Sequence, residues 1–497
     1  MADMTPEEHA AVGTLNKLAY ELGQREKWVR KQLDYYGGKH KLAYASPEFS
    51  EYFGARFKGF TDNWCAPVVN SPAERMNVLG VQLDDEQREV DKDLARVWRA
   101  NDCDRGSSEA ISITLATGRS FATVWGNPDD EDTPVVTFER PDQAIIQYGD
   151  MRQRIAGMRL WRDDQHEYAT LDDGRFLWKF KRSAMQDGRL RSGLVVPSSA
   201  IGGWQPREVD DEPWPLPNPL GEVSMVELPN HSLLDMDNPI SDIDGVIAMQ
   251  DAINLVWAYL MNALDYASLP QRVVMGADMP EVPILDSEGR IVGKRPLDLN
   301  QLVKDRVLWI PGSSTNKPTI GEWSAANLEV FSKVIEYAIE HISAQTRTPP
   351  HYLIGKIQNV SADALTAAET GLVSKTGERI TYLSPGTREI FRLIARAQGN
   401  EAKANAVRSG RVIWGDVQFR ALSQKVDALA KLRGIGFPLE WIAEQYGLTP
   451  PEVERLMQMR ERELRDSQLD ELVAAGERLA ADPEPKPEPD EAELQDA

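Results

Sequence analysis

The stretch TRTPPHYLIGKIQNVSADALTAAETGLVSK, Thr346 to Lys375, joins two segments with helical patterns. The second helical segment starts near Ser361. Two helices can be connected by a few residues, so this join, which Pro349 and Pro350 stiffen, is longer than a turn requires. The segment before the join places apolar residues at helical intervals of three and four: Leu328, Phe331, Ile335, Ile339 and Ile342.

The join is also rich in polar side chains that can reach a ligand. Arginine, lysine, histidine and the amides all donate hydrogen bonds, and the first two are always or nearly always cationic. A functional loop that meets an anion is therefore one interpretation. Ordinary solvated loop chemistry is an equally good interpretation for any single member: Arg347, His351, Lys356, Gln358 and Asn359.

The composition indicates a large globular chain. It has 497 residues, of which 41% are hydrophobic and 27% charged, enough for two to four domains or one elongated subunit. Two cysteines, Cys65 and Cys103, predict a reducing compartment without a disulfide scaffold or a cysteine zinc site. The sequence contains no apolar run of eighteen residues, so we expect no membrane span and no membrane partner.

The net charge of −22 argues against a tight, static nucleic-acid binder. Residues 482–497, DPEPKPEPDEAELQDA, contribute −6 of it, and their composition predicts a disordered acidic tail. The remaining −16 repels phosphate at short range. A protein with this net negative charge is compatible with a surface along which DNA moves without binding tightly.

The pattern along the chain predicts an α+β fold that is mainly helical. Residues 1 to about 105 are helical, and residues from about 121 to 230 are short strands separated by turns. A long helix covers about 240–268, a mixed strand-containing stretch follows it, and a second long helix covers about 324–345. Helical pattern returns after the join and continues to residue 481.

Signatures of catalysis are missing from the sequence. The nearest approach to a nucleotide-binding loop, GRIVGKR at 289–295, has the wrong spacing and no hydroxyl residue after Lys294. The six histidines are scattered, and carboxylates are too abundant for any pair to be singled out. We therefore expect no enzyme, no catalytic residue, no metal and no cofactor, although a hydrolase built on carboxylates stays open as an alternative.

One segment resembles a DNA-binding motif. WIAEQYGLTPPEVERLM, residues 441–457, has Ala443, Gly447 and Val453 where a helix-turn-helix packs and turns. A DNA-binding regulator is therefore the alternative function. The mixed charge of the second helix favours the simpler interpretation, two packed helices joined by a glycine turn.

The order of elements from residue 221 onward resembles the SPP1-type portal proteins of tailed double-stranded DNA phages. The resemblance covers roughly residues 10–475, and the C-terminal region departs from it. It depends on these features: Pro229-Asn230, Ser241-Asp242, the run Gln250-Asp251-Ala252-Ile253-Asn254, Thr348-Pro349-Pro350, Asn359 and the helix start Ser361-Ala362-Asp363-Ala364-Leu365.

The resemblance implies a division of the chain into named parts. It implies a wing, helical and then β-rich, at 1–238 and stem helices at 239–268 and 324–345. Between the stem helices it implies a small α/β clip at 269–323. The join becomes a tunnel loop at 346–360, followed by a long helix at 361–383 that links wing and crown, a helical crown at 384–481 and the tail.

The resemblance also implies a function. Portal proteins form a ring, a dodecamer in the virion, at one capsid vertex, where double-stranded DNA is packaged and later ejected. Implied partners are further copies of the chain, the major capsid protein, the terminase large subunit and head–tail adaptors, with a scaffolding protein as a further candidate. The implied location is the virion portal vertex, after assembly in the host cytoplasm.

Two sets of site residues follow from this resemblance. The polar residues of the join are expected to face DNA: Arg347, His351, Lys356, Gln358 and Asn359. The apolar faces of the stem helices are expected to form the ring interface: Ile253, Trp257, Leu260, Phe331, Ile335 and Ile339.

Overall fold

The computed structural model confirms a mixed fold of helices and sheets. It describes these residues: 5–43, 60–83, 89–186, 189–190, 203–209, 212–232, 234, 238–268, 272–276, 281–296, 307–310, 319–322, 327–354, 362–418, 422–448 and 450–480.

The N-terminal part is helical, as predicted. Helix α1 (Pro6–Tyr36) begins with a capping box, in which Thr5 Oγ1 accepts from the Glu8 amide and the Glu8 carboxylate accepts from the Thr5 amide. The elements that follow are α2 (Cys65–Ala73), β1 (Val78–Gln82), α3 (Lys92–Ala100) and α4 (Cys103–Thr117).

Two antiparallel sheets follow, which confirms the predicted strands. A three-stranded sheet has the order β12-β2-β3, and a larger sheet has the order β10-β7-β6-β5-β4 with β11 also paired to β7. The bounds are β2 (Arg119–Trp125), β3 (Val135–Glu139), β4 (Ala144–Tyr148), β5 (Arg154–Arg162), β6 (His166–Asp172), β7 (Phe176–Ser183), β8 (Met185–Gln186), β9 (Arg189–Leu190), β10 (Gln205–Pro206), β11 (Leu216–Pro217) and β12 (Met225–Pro229).

Three clusters of buried side chains hold these layers together. One face of the larger sheet packs against Leu15, Leu18 and Leu22 of α1. A small cluster around Phe121 and Met225 joins the two sheets. The largest cluster takes residues from the N-terminal helices, the three-stranded sheet and the helices described next.

Both long helices predicted near residues 240–268 and 324–345 are present, but each begins later than predicted. The first, α5 (Ile247–Ser268), follows a stretch of turns instead of starting at 239. Ser241 explains this start: its hydroxyl donates to the Ala116 carbonyl and accepts from the Ile243 amide, which holds residues 241–243 outside the helix. The second is α6 (Glu329–Thr346).

The described parts of the predicted clip are strands. A three-stranded sheet has the order β16-β13-β17, in which β13 (Arg272–Met275) runs parallel to β16 (Val307–Ile310) and antiparallel to β17 (Thr319–Glu322). A separate hairpin pairs β14 (Glu281–Leu285) with β15 (Ile291–Pro296).

The predicted boundary at residue 384 falls inside a helix. After the short α7 (Pro350–Ile354), α8 runs from Ala362 to Ala397. Phe391 and Ile394 of α8 are fully buried in the large core. Gly386 allows this close packing, because a β-carbon there would lie 2.6 Å from the Glu227 carbonyl oxygen of β12.

The chain stays on the large core for one more helix and one strand. Helix α9 (Glu401–Ser409) precedes β18 (Arg411–Trp414), a strand in the region predicted as helical, which pairs antiparallel with β1. Three helices follow: α10 (Leu422–Gly434), α11 (Leu439–Tyr446) and α12 (Pro450–Ala480). Ala443 and Val453 are buried and Gly447 has a φ of 105°, as expected for two packed helices with a glycine turn.

Candidate functional site: helices α5 and α6 and the segment after α6

Helices α5 and α6 pack on each other within one subunit. Ile253 and Leu260 of α5 and Ile335 and Ile339 of α6 are all buried in the single chain. These four of the six predicted ring-interface residues are therefore already covered before any second copy arrives. The apolar periodicity marks a buried face, but it cannot tell whether the chain itself or a neighbour covers that face.

The other two predicted interface residues are partly buried. Phe331 lies near the start of α6, and Trp257 is held by the segment before α2. The indole Nε1 of Trp257 donates to Asp62 Oδ2 at 2.8 Å, and its ring meets Phe60 edge-on. Trp257 is thus an intramolecular anchor of α5 as well.

A second apolar face of α6 is exposed. Val330, Val334 and Tyr337, which we call the outer stripe, are 53, 46 and 62% exposed. Their spacing of four and three residues places them on one side of the helix, opposite Ile335 and Ile339. The outer stripe is the apolar surface of α6 that remains available to a partner.

The end of α6 is shaped by hydroxyl groups and not by glycine. Arg347 adopts a left-handed φ of 54°, a conformation that few non-glycine residues take. Thr346 Oγ1 donates to the Ile342 carbonyl and Ser343 Oγ donates to the Thr348 carbonyl, both at 2.7 Å. These bonds fix the direction in which the chain leaves the helix toward Pro349.

Arg347 is turned toward α8. Its Nη1 lies 3.4 Å from the Glu378 carboxylate, and both side chains are partly exposed. Glu378 also lies 3.6 Å from Arg379 and 4.0 Å from the His231 ring. The expected DNA-facing role of Arg347 therefore has to compete with a carboxylate of its own subunit.

His351 is likewise held against α8. Its Nε2 lies 3.9 Å from Glu369, which also lies 3.4 Å from Arg75. The Arg75 side chain is fully buried, donates to the Val417 carbonyl and lies over the Tyr352 ring. Helix α7 is thus fastened to the body. The other three predicted DNA-facing residues lie outside the described residues: Lys356, Gln358 and Asn359.

A buried ion cluster fixes the entry to α5. The Asp242 carboxylate lies 3.0 Å from Lys375 Nζ and 2.9 Å from Arg379 Nη2, and it accepts a hydrogen bond from the Asn230 amide at 2.9 Å. Burial acts to raise the pKa of Asp242, but the two cations lower it below its ordinary value. Sequence reasoning singled out Asn230 and Asp242 but missed Lys375 and Arg379, whose spacing of four residues on one helix was the available signal.

A second ion cluster joins α8 to the larger sheet. Arg392 bridges Glu222 and Glu389, and Arg154 of β5 contacts the same two carboxylates. Arg396 also pairs with Glu222. Helix α8 therefore makes ionic contacts to the segment after α6, to the entry of α5 and to the larger sheet.

No helix in the described part of the chain is long and apolar enough to cross a membrane. Within the same residues, no group of three or more histidine, cysteine or acidic side chains is placed to hold a metal ion.

The charged side chains that α8 presents to this region pair within the subunit. The family described as phage portal protein, SPP1 Gp6-like, matches residues 16–468. The chain therefore belongs to the portal protein family of tailed phages, which confirms the resemblance.

Relatives and solved structures are similar over most of their length. The portal protein of Mycobacterium phage L5 is 25% identical over 409 residues, which cover 80% of this chain and 77% of the relative. The portal protein of Mycobacterium phage D29 is 25% identical over 410 residues, covering 80% and 78%. A solved chain from the neck of an empty gene transfer agent particle has a TM-score of 0.42 at 14% identity, covering 82% of this chain and 95% of that one.

Proposed function

We propose that copies of this portal protein form a dodecameric ring at one capsid vertex and that double-stranded DNA passes through the ring during packaging and ejection. The observation that supports the proposal most strongly is the family match across residues 16–468. The proposed location is the virion vertex, reached after assembly in the host cytoplasm. The family match favours this function over the DNA-binding regulator built on residues 441–457.

The ring contact is assigned to the outer stripe of α6. A ring needs a heterologous interface, in which one surface of each subunit meets a different surface of the next. Val330, Val334 and Tyr337 supply an apolar surface that the subunit leaves open, whereas Ile335 and Ile339 do not. Negative-stain electron microscopy of the purified protein tests the proposal: rings with a central hole support it, and monomers or dimers contradict it.

The hairpin β14–β15 is assigned to docking of the terminase large subunit and later of head–tail adaptors. It carries four exposed aliphatic side chains, and exposed apolar surface is typical of protein–protein contact sites. They are Ile284, Leu285, Ile291 and Val292. The major capsid protein and a scaffolding protein are proposed to meet other surfaces of the ring.

Contact with DNA is assigned to the loop residues that follow Arg347 and His351 in the sequence. Arg347 and His351 each face a carboxylate of α8, so they act mainly in holding the loop. Lys356, Gln358 and Asn359 follow this anchored part in the sequence. A ring repeats each weak phosphate contact in every subunit, which gives grip without a deep binding minimum.

We expect Lys356→Ala to lower the fraction of filled heads and the packaged genome length, because it removes one phosphate contact from every subunit. Ring assembly should stay normal. Lys431→Ala, which removes an exposed lysine of α10, is the matched control and should package normally. The readouts are head counts by electron microscopy and genome length by pulsed-field gel. Full heads at normal yield in Lys356→Ala would contradict the assignment.

We further propose that the chain is not an enzyme and that the terminase supplies ATP hydrolysis. The near-match to a nucleotide-binding loop lies on the β14–β15 hairpin, where Lys294 is exposed and 3.5 Å from Glu281. Rigorously purified protein should therefore show no ATP turnover above background in a phosphate-release assay. Turnover that Lys294→Ala abolishes would overturn this proposal.

A further inference from the structure

The larger sheet carries a cleft that the portal function does not use. It has a volume of about 430 Å³ and lies between β2 and the face of β5, β6 and β7 turned away from α1. Trp125 and Trp161 line it together with three cations, Arg159, Lys179 and Arg207.

Arg207 is the distinctive group in this cleft. Its guanidinium carbon lies 5.2 Å from the Trp161 ring centre and 5.3 Å from the Tyr168 ring centre. Its backbone amide donates to the Lys179 carbonyl at 2.8 Å, which anchors the residue to β7. Aromatic contacts of this kind orient a guanidinium while leaving its edge free to bind a carboxylate.

The other two cations are already paired, but Arg207 is not. Arg159 lies 3.1 Å from Glu139, and Lys179 pairs with Glu212. Among the described residues, no carboxylate lies within ion-pair distance of Arg207, and its buried Nε has no hydrogen-bond partner. A buried donor without a partner is unfavourable, and Arg207 as a whole is only partly buried, so its guanidinium can bind a ligand that brings acceptor oxygens.

The sheet already binds one segment of the required chemistry. Residues 212–217, EPWPLP, run beside β7 at the edge of the sheet: Leu216 and Pro217 pair with β7, and Glu212 and Leu216 line the cleft, where Glu212 pairs with Lys179. A carboxylate next to a proline is therefore already accommodated at the margin of the cleft. The cleft continues beyond that segment to Arg207 and Trp161.

We infer that the cleft binds the acidic C-terminal segment of this chain, residues 482–497. That segment carries seven acidic residues and one lysine, and four prolines alternate with charged residues in DPEPKPEPD. Proline-rich segments dock on aromatic grooves, and carboxylates bind arginine. The seventeen residues after Ala480 can span roughly 50 Å in an extended polyproline conformation.

Binding of the tail to this cleft does not depend on the portal function. An acidic, proline-rich segment cannot bury a core of its own, but it can become ordered when a partner surface supplies the contacts. Asp172 and Glu212 line the cleft beside its three cations, so Arg207 is the cation that the cleft offers to the tail, next to the tryptophan rings. Occupation of Arg207 would also shield its guanidinium from DNA phosphate.

The test uses the full-length chain with a fluorophore on Ala497→Cys. Both native thiols are fully buried, and burial raises the pKa of each to about 12, so labelling is selective. We expect high anisotropy of the label in the parent protein, a fall toward the value of a free tail in Arg207→Ala, and no fall in the control Arg408→Ala on α9. Salt at about 0.5 M should mimic Arg207→Ala, because screening weakens the contact.

A second measurement locates the contact without any substitution. Lys181 lies beside Tyr168 on the same face of the sheet, and a zero-length carbodiimide reagent should join it or Lys179 to a tail carboxylate, identified by mass spectrometry. Arg207→Lys keeps the charge but loses the flat guanidinium, so it should restore little of the anisotropy. Equal anisotropy in the parent and Arg207→Ala, or crosslinks from the tail only to other lysines, would overturn the inference.

Discussion

We expect Tyr337→Asp to abolish ring formation and to leave a folded subunit. Tyr337 is 62% exposed on the outer stripe, so the substitution removes little contact within the subunit. Burial of a large apolar side chain stabilises an interface by about 1.5–3 kcal/mol, and a charge at the same position replaces that gain with a desolvation penalty. Every interface of the proposed ring would lose this free energy of association. Sedimentation velocity should therefore show single subunits at concentrations where the unaltered protein is fully assembled.

The control separates assembly from folding. Ile339→Asp places the same charge on the same helix but in the intramolecular contact with α5, where Ile339 is buried. It should lower the free energy of unfolding by roughly 3–5 kcal/mol and yield little soluble protein. Ser332→Asp, at an exposed polar position of α6, should change neither property. Rings from Tyr337→Asp would exclude the outer stripe as the ring contact.

The sequence predicts which elements form, but not whether the same chain or a neighbour covers their apolar faces. Periodicity located both long helices and the strands of the two sheets, because a half-buried element must repeat its apolar residues at its own period. The same periodicity selected Ile335 and Ile339 as interface residues, since a buried stripe looks alike whether the same chain or a neighbour covers it. Only the packing of the folded chain shows that the exposed side chains are Val330, Val334 and Tyr337.

The predicted ends of two helices differ from the observed ones for a related reason. The start of α5 is set by Ser241, whose partner Ala116 is far away in the sequence. The continuation of α8 past residue 384 depends on the close approach of Gly386 to β12. Long-range contacts of this kind leave no local pattern, so a glycine or serine that determines a boundary looks like any other.

The join that sequence reasoning singled out is partly explained. Its hydroxyl groups shape the exit from α6, which lies against α8, where Arg347 pairs with Glu378 and the His351 ring lies 3.9 Å from Glu369. The sequence alone favours an external anion as the partner of these loop residues, because their internal carboxylates lie on α8, more than fifteen residues further along the chain. The structure thereby separates an anchored half of the join from the residues that follow it.

Asp242→Ala should destabilise the subunit by about 3–5 kcal/mol, because it removes the carboxylate that pairs with the buried Lys375 and leaves Arg379 with only Glu378, 3.6 Å away. Asp427→Ala is the matched control: it removes the same type of Asp–Lys pair, with Lys431 at 2.7 Å, from an exposed position, and should cost less than about 1 kcal/mol. Urea unfolding at pH 7 and one protein concentration measures the loss of stability in both variants.

The pKa of Asp242 is lowered in the folded chain. Its carboxylate therefore contributes fully to the free energy of unfolding above the unfolded pKa of about 3.9, and this contribution is lost as the pH falls through the folded pKa. The gap between the parent and Asp242→Ala should therefore be constant from pH 7 to pH 5 and narrow only in stronger acid. Equal losses in the two variants at pH 7 would mean that the buried cluster is no more important to the fold than a surface pair.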